Sequence, residues 1–139
     1  MSDRPIGDPV DPEIAPEIAA VLAANQAFYD AHESRDIAAM VASWEHSERV
    51  VCIHPGWPML RTWRHVEDSW RRILAGPGRN QFILTNEAVT IQGPIAVVTL
   101  DENLVDSGGT GTVAATNIYA HSGDRWLLVL HHGSPVMSG

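Results

Sequence analysis

Apolar positions along the 139-residue chain change their rhythm near Gly78. Before it they recur at helical spacing. Ile14, Ile18, Val21, Leu22, Phe28 and Tyr29 form one stripe, predicting a long helix that starts at Asp11-Pro12 and runs to about His32. Asp36 is placed to cap a short second helix carrying Ile37, Met40, Val41 and Trp44. A brief strand over 50–53 then leads into a Pro-Gly-Trp-Pro turn. Thr62 is expected to cap a third helix with Val66, Trp70, Ile73 and Leu74 facing inward, stopped by Gly76-Pro77. After Gly78 come strand-length runs over 81–92, 95–107 and 110–122, followed by a final strand over 125–135. Their joints are Gly-Pro, Gly-Gly and Gly-Asp, which predicts hairpins and an antiparallel meander. Helices first and strands afterwards predict a single α+β domain over residues 11–139. Residues 1–10, rich in Pro, Gly and Asp, form an expected flexible lead-in.

Turn positions suggest which strand residues share a face. With Gly108-Gly109 and Gly123-Asp124 as two-residue turns, Leu100 falls opposite Asn117, Glu102 opposite Ala115, and Ala115 opposite His132. One face then collects Val98, Leu100, Leu104, Val113, Tyr119, Leu128 and Leu130, with Glu102, Asn117 and His132 embedded among them. A carboxylate, an amide and an imidazole on an apolar wall need partners or a ligand. A one-residue slip exchanges His132 for His131. The opposite face is also largely apolar (Val97, Ile118, Leu127, Val129), and three helices cannot cover both sides. A homodimer through the sheet is therefore expected.

Composition narrows the partners. The formal net charge is −8, from 9 basic and 17 acidic side chains, which argues against nucleic acid and anionic membranes. No apolar run approaches a membrane span, and no signal-peptide pattern opens the chain. The single cysteine, Cys52, precludes an internal disulfide, so a reducing, cytoplasmic setting is expected. Between Val51 and Ile53, Cys52 reads as a small core residue rather than a nucleophile. Seven histidines raise the question of a metal. Adjacent His131 and His132 point to opposite faces, and no short-range ligand spacing occurs, so neither a metal nor another cofactor is expected. Gly108–Gly111 sits in a hairpin, which excludes a phosphate loop.

Two apolar runs end in histidine: V-V-C-I-H-P-G-W, Val50 to Trp57, and R-W-L-L-V-L-H-H-G-S-P, Arg125 to Pro135. They suggest a cavity with few polar groups. His54 reads as a general base or as a histidine satisfied by a backbone carbonyl at a strand end. Glu102 reads as a proton-handling carboxyl, its pKa raised by an apolar wall, or else as a rim carboxylate or an ion pair with an arginine such as Arg61. Trp57 and Trp44 read as lid and wall over a ring-shaped ligand, or as core. Asn117 and His132 read as ligand-orienting groups, with Tyr29 reaching the cavity from the first helix. Asn117 equally serves as a tie between strands.

The order and spacing of several motifs resemble the NTF2-like superfamily and its SnoaL-like group. They are A-N-Q-A-F-Y-D-A-H-E-S-R-D (Ala24–Asp36), M-V-A-S-W (Met40–Trp44), the Val50–Trp57 run, S-W-R-R-I-L (Ser69–Leu74), A-A-T-N-I-Y (Ala114–Tyr119) and W-L-L-V-L-H-H-G-S-P (Trp126–Pro135). The resemblance implies a cone-shaped, cystatin-like fold, three N-terminal helices packed in a curved antiparallel sheet, with a pocket at the wide end. It also implies dimerisation through that sheet. Enzymes of the group generally place an aspartate base in the pocket; here the pocket-face carboxylate is Glu102. The expected function is binding or transformation of a small hydrophobic molecule, cyclic or carbonyl-bearing, by acid–base chemistry at Glu102 and His54. The alternative is a non-catalytic dimeric module for ligand sensing or protein association.

Overall fold

A computed structural model describes residues 15–106 and 109–137. The expected lead-in and the Asp11-Pro12 helix start lie outside the described residues. Three helices, α1 (Ala15–Ser34), α2 (Ile37–Ala42) and α3 (Trp63–Ala75), pack against a curved six-stranded sheet. Its strands are β1 (Val51–Ile53), β2 (Leu60–Arg61), β3 (Gln81–Gln92), β4 (Ile95–Asp106), β5 (Gly109–Ser122) and β6 (Arg125–Pro135), in the order β2-β1-β6-β5-β4-β3. This is the expected α+β cone, with one correction. The sheet is mixed, because β1 joins the meander beside β6 in parallel register. The two-residue β2, which the sequence pattern does not reveal, pairs with its outer edge.

Helix ends follow their local chemistry. α1 stops where Arg35 takes φ 59, with Asp36 N–H donating to Ala31 O at 3.0 Å and Arg35 N–H to His32 O at 3.3 Å, a Schellman closure. The Arg35 guanidinium then donates to the carbonyls of Gly76 and Gly78, tying the ends of α1 and α3 together. Asp36 caps α2 as expected, accepting from Ala39 N at 3.1 Å. Thr62 precedes α3 but makes no side-chain cap; at φ 70 its backbone carries the turn, and Ser47 O receives Trp63 N–H instead.

Two details of register decide which side chains face the helices. Asp106 pairs with Gly109, so β5 begins one residue earlier than the expected Gly108-Gly109 turn allows. Each partner moves by two residues and every side chain keeps its face: Val98 opposes Asn117, Leu100 opposes Ala115, Glu102 opposes Val113. The β5–β6 turn is the expected one, with Ser122 opposite Arg125, but a bulge intervenes farther along. Tyr119 pairs with Leu128 and Ile118 with Leu130, leaving Val129 extra on β6. Leu128 is held there by Ser43 O, which accepts its N–H at 2.9 Å, and by Glu45 N–H, which donates to its carbonyl at 2.9 Å. Beyond the bulge the alternation inverts. Leu130, expected on the inner face, turns outward opposite Ile118; His131 turns inward opposite Asn117, and His132 turns outward opposite Thr116. A second bulge in β3, between Thr85 and Ala88, puts Asn86 at φ 60 and brings Glu87 to Asn25 on α1, 3.4 Å away.

The core lies between α1, α3 and the concave face of the sheet. Phe28 sits at its centre, with ring centroids 4.8 Å from Tyr29, 5.6 Å from Trp70 and 6.4 Å from Trp44, all near edge-to-face.

Candidate functional site

At one end of the core a cavity of about 250 Å³ remains, lined by Tyr29, His32, His54, Pro55, Trp57, Trp70, Ile73, Asn80, Phe82, Glu102, Leu104 and His131. At roughly 30 Å³ per water molecule it has room for a small organic molecule and not for an extended one. Larger hollows of about 380 and 460 Å³ lie elsewhere, one on the outer face around His132 and Asp101, one around Val105 and Met137; Glu102 lines neither.

Helix α1 delivers Asn25, Tyr29 and His32 to one side at i, i+4 and i+7 spacing. Strands β4, β5 and β6 deliver Glu102, Asn117 and His131 from the other. Tyr29 donates its hydroxyl hydrogen to Glu102 Oε2 at 2.5 Å. Asn117 Nδ2 donates to Tyr29 Oη at 3.1 Å and to Asn25 Oδ1 at 2.9 Å, while its Oδ1 stands 2.5 Å from His131 Nδ1. Tyr119 donates to Asn25 Oδ1 at 2.8 Å. Asn25, Asn117 and Tyr119 are fully buried, so this lattice lies behind the cavity wall and holds Tyr29 and His131 in place.

Burial sets the protonation states. Glu102 is 4% exposed, and desolvation pushes its pKa up from 4.5 to about 7 against the opposing pull of the Tyr29 hydrogen bond. The same burial, then the neighbouring Glu102 charge, drives the Tyr29 hydroxyl far above its ordinary value, so it remains a donor. The cavity imidazoles move the other way: burial lowers His32 and His54 to about 4 and His131 to about 3. At pH 7 all three are neutral, and no arginine lines the cavity among the described residues. Glu102 is thus the one group here that changes charge near neutrality.

His54 is fixed by α3. Ser69 gives its hydroxyl hydrogen to Val66 O at 2.7 Å, so its oxygen accepts His54 Nε2–H at 2.9 Å. With its pKa depressed and its N–H committed, His54 is a weak base. It is satisfied at a strand end, by a serine rather than a backbone carbonyl. The expected turn follows it: Trp57 N–H donates to His54 O at 2.8 Å across Pro55-Gly56, with Gly56 at φ 81, a type II turn. Trp57, 39% exposed, consequently stands at the rim, 4.8 Å from the His54 ring.

The structure therefore brings Glu102, His54, Tyr29 and Trp57 together around the cavity. Asn117 lies directly behind it. Trp44 does not line it; that ring is 1% exposed in the core between Phe28 and Trp63. His132 does not line it either, since the β6 bulge turns it to the exposed outer face and installs His131. Arg61 is exposed, and Glu102 is hydrogen-bonded to Tyr29. Cys52 is fully buried, its thiol pushed up by burial, as a core residue should be. His32 and Ser69 were not among the expected site residues. The i+7 spacing of His32 from Asn25 was the available signal for one; Ser69, one residue before Trp70 on α3, offered none.

The comparisons agree with this architecture. The SnoaL-like domain family model matches residues 21–138. A candidate dehydratase of the NTF2-like family from Streptomyces avermitilis is 34% identical, with a TM-score of 0.83 over 89% of this chain and 99% of that one. A candidate calcium/calmodulin-dependent protein kinase type II association domain from Thiobacillus denitrificans is 33% identical, with a TM-score of 0.73 over 94% and 100% of the two chains. An Arabidopsis thaliana protein, F-box protein SKIP8, is 26% identical over 118 residues; the match spans 85% of this chain and half (50%) of that protein. The chain belongs to the SnoaL-like domain family of the NTF2-like superfamily.

Proposed function

We propose that the protein transforms a small neutral molecule in the 250 Å³ cavity by proton transfer at Glu102, in an elimination or isomerisation next to a carbonyl. The observation that carries this reading is a carboxyl group of pKa about 7 in an otherwise uncharged aromatic hollow, one oxygen anchored by Tyr29. Near neutrality such a group exists in both forms, which suits it to take a proton and return it. With a β-hydroxy ketone, ionised Glu102 removes the proton α to the carbonyl, and the electron pair forms an enolate. The enolate re-forms the carbonyl as the C–O bond to the β-hydroxyl breaks. That oxygen leaves as water with the proton Glu102 took, giving the enone and restoring the carboxylate. The name of the Streptomyces relative favours elimination over isomerisation.

Exchange of α-hydrogens in D2O, followed by NMR on five- to seven-membered cyclic ketones and their β-hydroxy derivatives, tests the reading. The parent should accelerate exchange, and Glu102→Gln should lose on the order of a hundredfold or more of that rate. A parent that accelerates exchange in none of them overturns the proposal. Association is the second reading, favoured by the name of the Thiobacillus relative and by half-buried Val97, Ile118 and Leu130 on the outer sheet face. Sedimentation showing a monomer at every concentration would remove it.

A further inference from the structure

We infer that His131 enters the cavity as a fixed hydrogen-bond acceptor, and that its Nε2 lone pair selects a neutral molecule carrying a hydroxyl group. The inference deepens the reading above and rests on the cavity being a ligand site.

The orientation of every group follows from one end of the lattice. Asn25 Nδ2 donates to the Glu87 carboxylate at 3.4 Å, and the Tyr119 hydroxyl donates to Asn25 Oδ1 at 2.8 Å. A carboxylate has no hydrogen to give, so Asn25 presents its oxygen to the sheet. Asn117 must answer with Nδ2, which spends its two hydrogens on Asn25 Oδ1 and Tyr29 Oη. Its own oxygen is thereby turned to His131, 2.5 Å from Nδ1. Two lone pairs cannot meet at that distance, so Nδ1 carries the ring hydrogen and Nε2, at the far edge of a ring that lines the cavity, carries none.

Two of the neighbouring donors are spent as well, whereas His32 Nδ1 and Trp70 Nε1 have no partner in the wall among the described residues. Tyr29 gives its hydrogen to Glu102, and His54 gives Nε2–H to Ser69. Ionised Glu102 and His131 Nε2 therefore both accept, and a molecule that bridges them has to supply hydrogens to both. A hydroxyl does so. A ketone without one leaves Nε2 unmet in a desolvated wall, the arrangement that gives strong discrimination against an analogue lacking the donor. Anionic ligands meet no cation there.

Long-range 1H–15N correlation of the imidazoles at pH 7.5, with His131 assigned from the His131→Gln spectrum, reads the tautomer directly. The expected result is a protonated Nδ1 and a bare Nε2; an Nε2–H tautomer or a doubly protonated ring overturns the inference. Titrations with 3-hydroxycyclohexanone and cyclohexanone give the selectivity. The parent should bind the hydroxylated ketone about tenfold more tightly, and His131→Phe should erase the difference. Equal binding by the parent sinks the selection alone, while failure of both ketones to bind counts against the cavity reading and the selection alike. The tautomer is measured without ligand or turnover, so a failure of proton transfer at Glu102 leaves its outcome standing.

Discussion

Glu102→Gln should stabilise the protein, and the gain should grow with pH. In the folded chain this carboxyl has a pKa of about 7 in place of 4.5, because burial disfavours its charge. A raised folded pKa means the native state holds the proton more tightly than the unfolded one. Its contribution is complete below about pH 4.5 and lost as pH rises through about 7. At about 1.4 kcal/mol per pH unit, the interval from 4.5 to about 7 amounts to about 3 kcal/mol by pH 8. Glutamine keeps a carbonyl oxygen for the Tyr29 hydroxyl and carries no charge to desolvate. The variant should match the parent near pH 5 and exceed it by about 3 kcal/mol at pH 8, a rise in Tm on the order of 10 °C. His32, His54 and His131, held at about 4, 4 and 3, act in the opposite sense: their contribution is present above about pH 6.5 and lost on acidification. They are common to both proteins and cancel in the difference. Urea unfolding followed by tryptophan fluorescence at pH 5, 6.5 and 8 measures it. Equal stabilities at pH 8, or a difference independent of pH, would refute the claim that Glu102 is buried at a cost.

The two tryptophans expected at the site should separate. Trp44→Ala should cost about 3–5 kcal/mol in urea unfolding, whereas rim-standing Trp57→Ala should cost under about 1 kcal/mol while weakening ligand binding. Gly133→Ala places a Cβ 3.0 Å from both Pro55 Cγ and Val113 Cγ1, and should lower stability by about 1–3 kcal/mol with shift changes in the 54–57 turn seen by NMR. Ser69→Ala leaves His54 Nε2–H buried without its acceptor and should cost about 1–3 kcal/mol, measured by thermal unfolding.

Most of the scaffold was legible in the chain, because punctuation and periodicity are local. Gly93-Pro94 and Gly123-Asp124 end their strands where expected, and Asp36 caps its helix. What escaped depended on contacts between distant segments. The parallel docking of β1 against β6 has no signature within either run. The site was partly legible for the same reason. Glu102, Tyr29 and His54 precede the β6 bulge or lie outside it, and their faces survive a two-residue register change. His132 lies beyond the bulge, so simple alternation put it on the wrong side. Trp44 was ambiguous because a large aromatic ring looks alike as core and as pocket wall until its neighbours, Phe28 and Trp63, are known.

The paired imidazoles of β6 make the strand tolerant of its own frame. Ironed flat, with Val129 taken into register opposite Ile118, the ladder would set His132 across from Ala115 and Leu130 across from Asn117, so a histidine would still point toward the helices. It would arrive one row away, with no amide to dictate where its hydrogen sits. Excising Val129 outright would instead restore unbroken alternation and leave His131 facing Asn117 as before. The segment around Ser43 and Glu45 grips Leu128 where the extra residue enters, and so bears on which histidine meets Asn117.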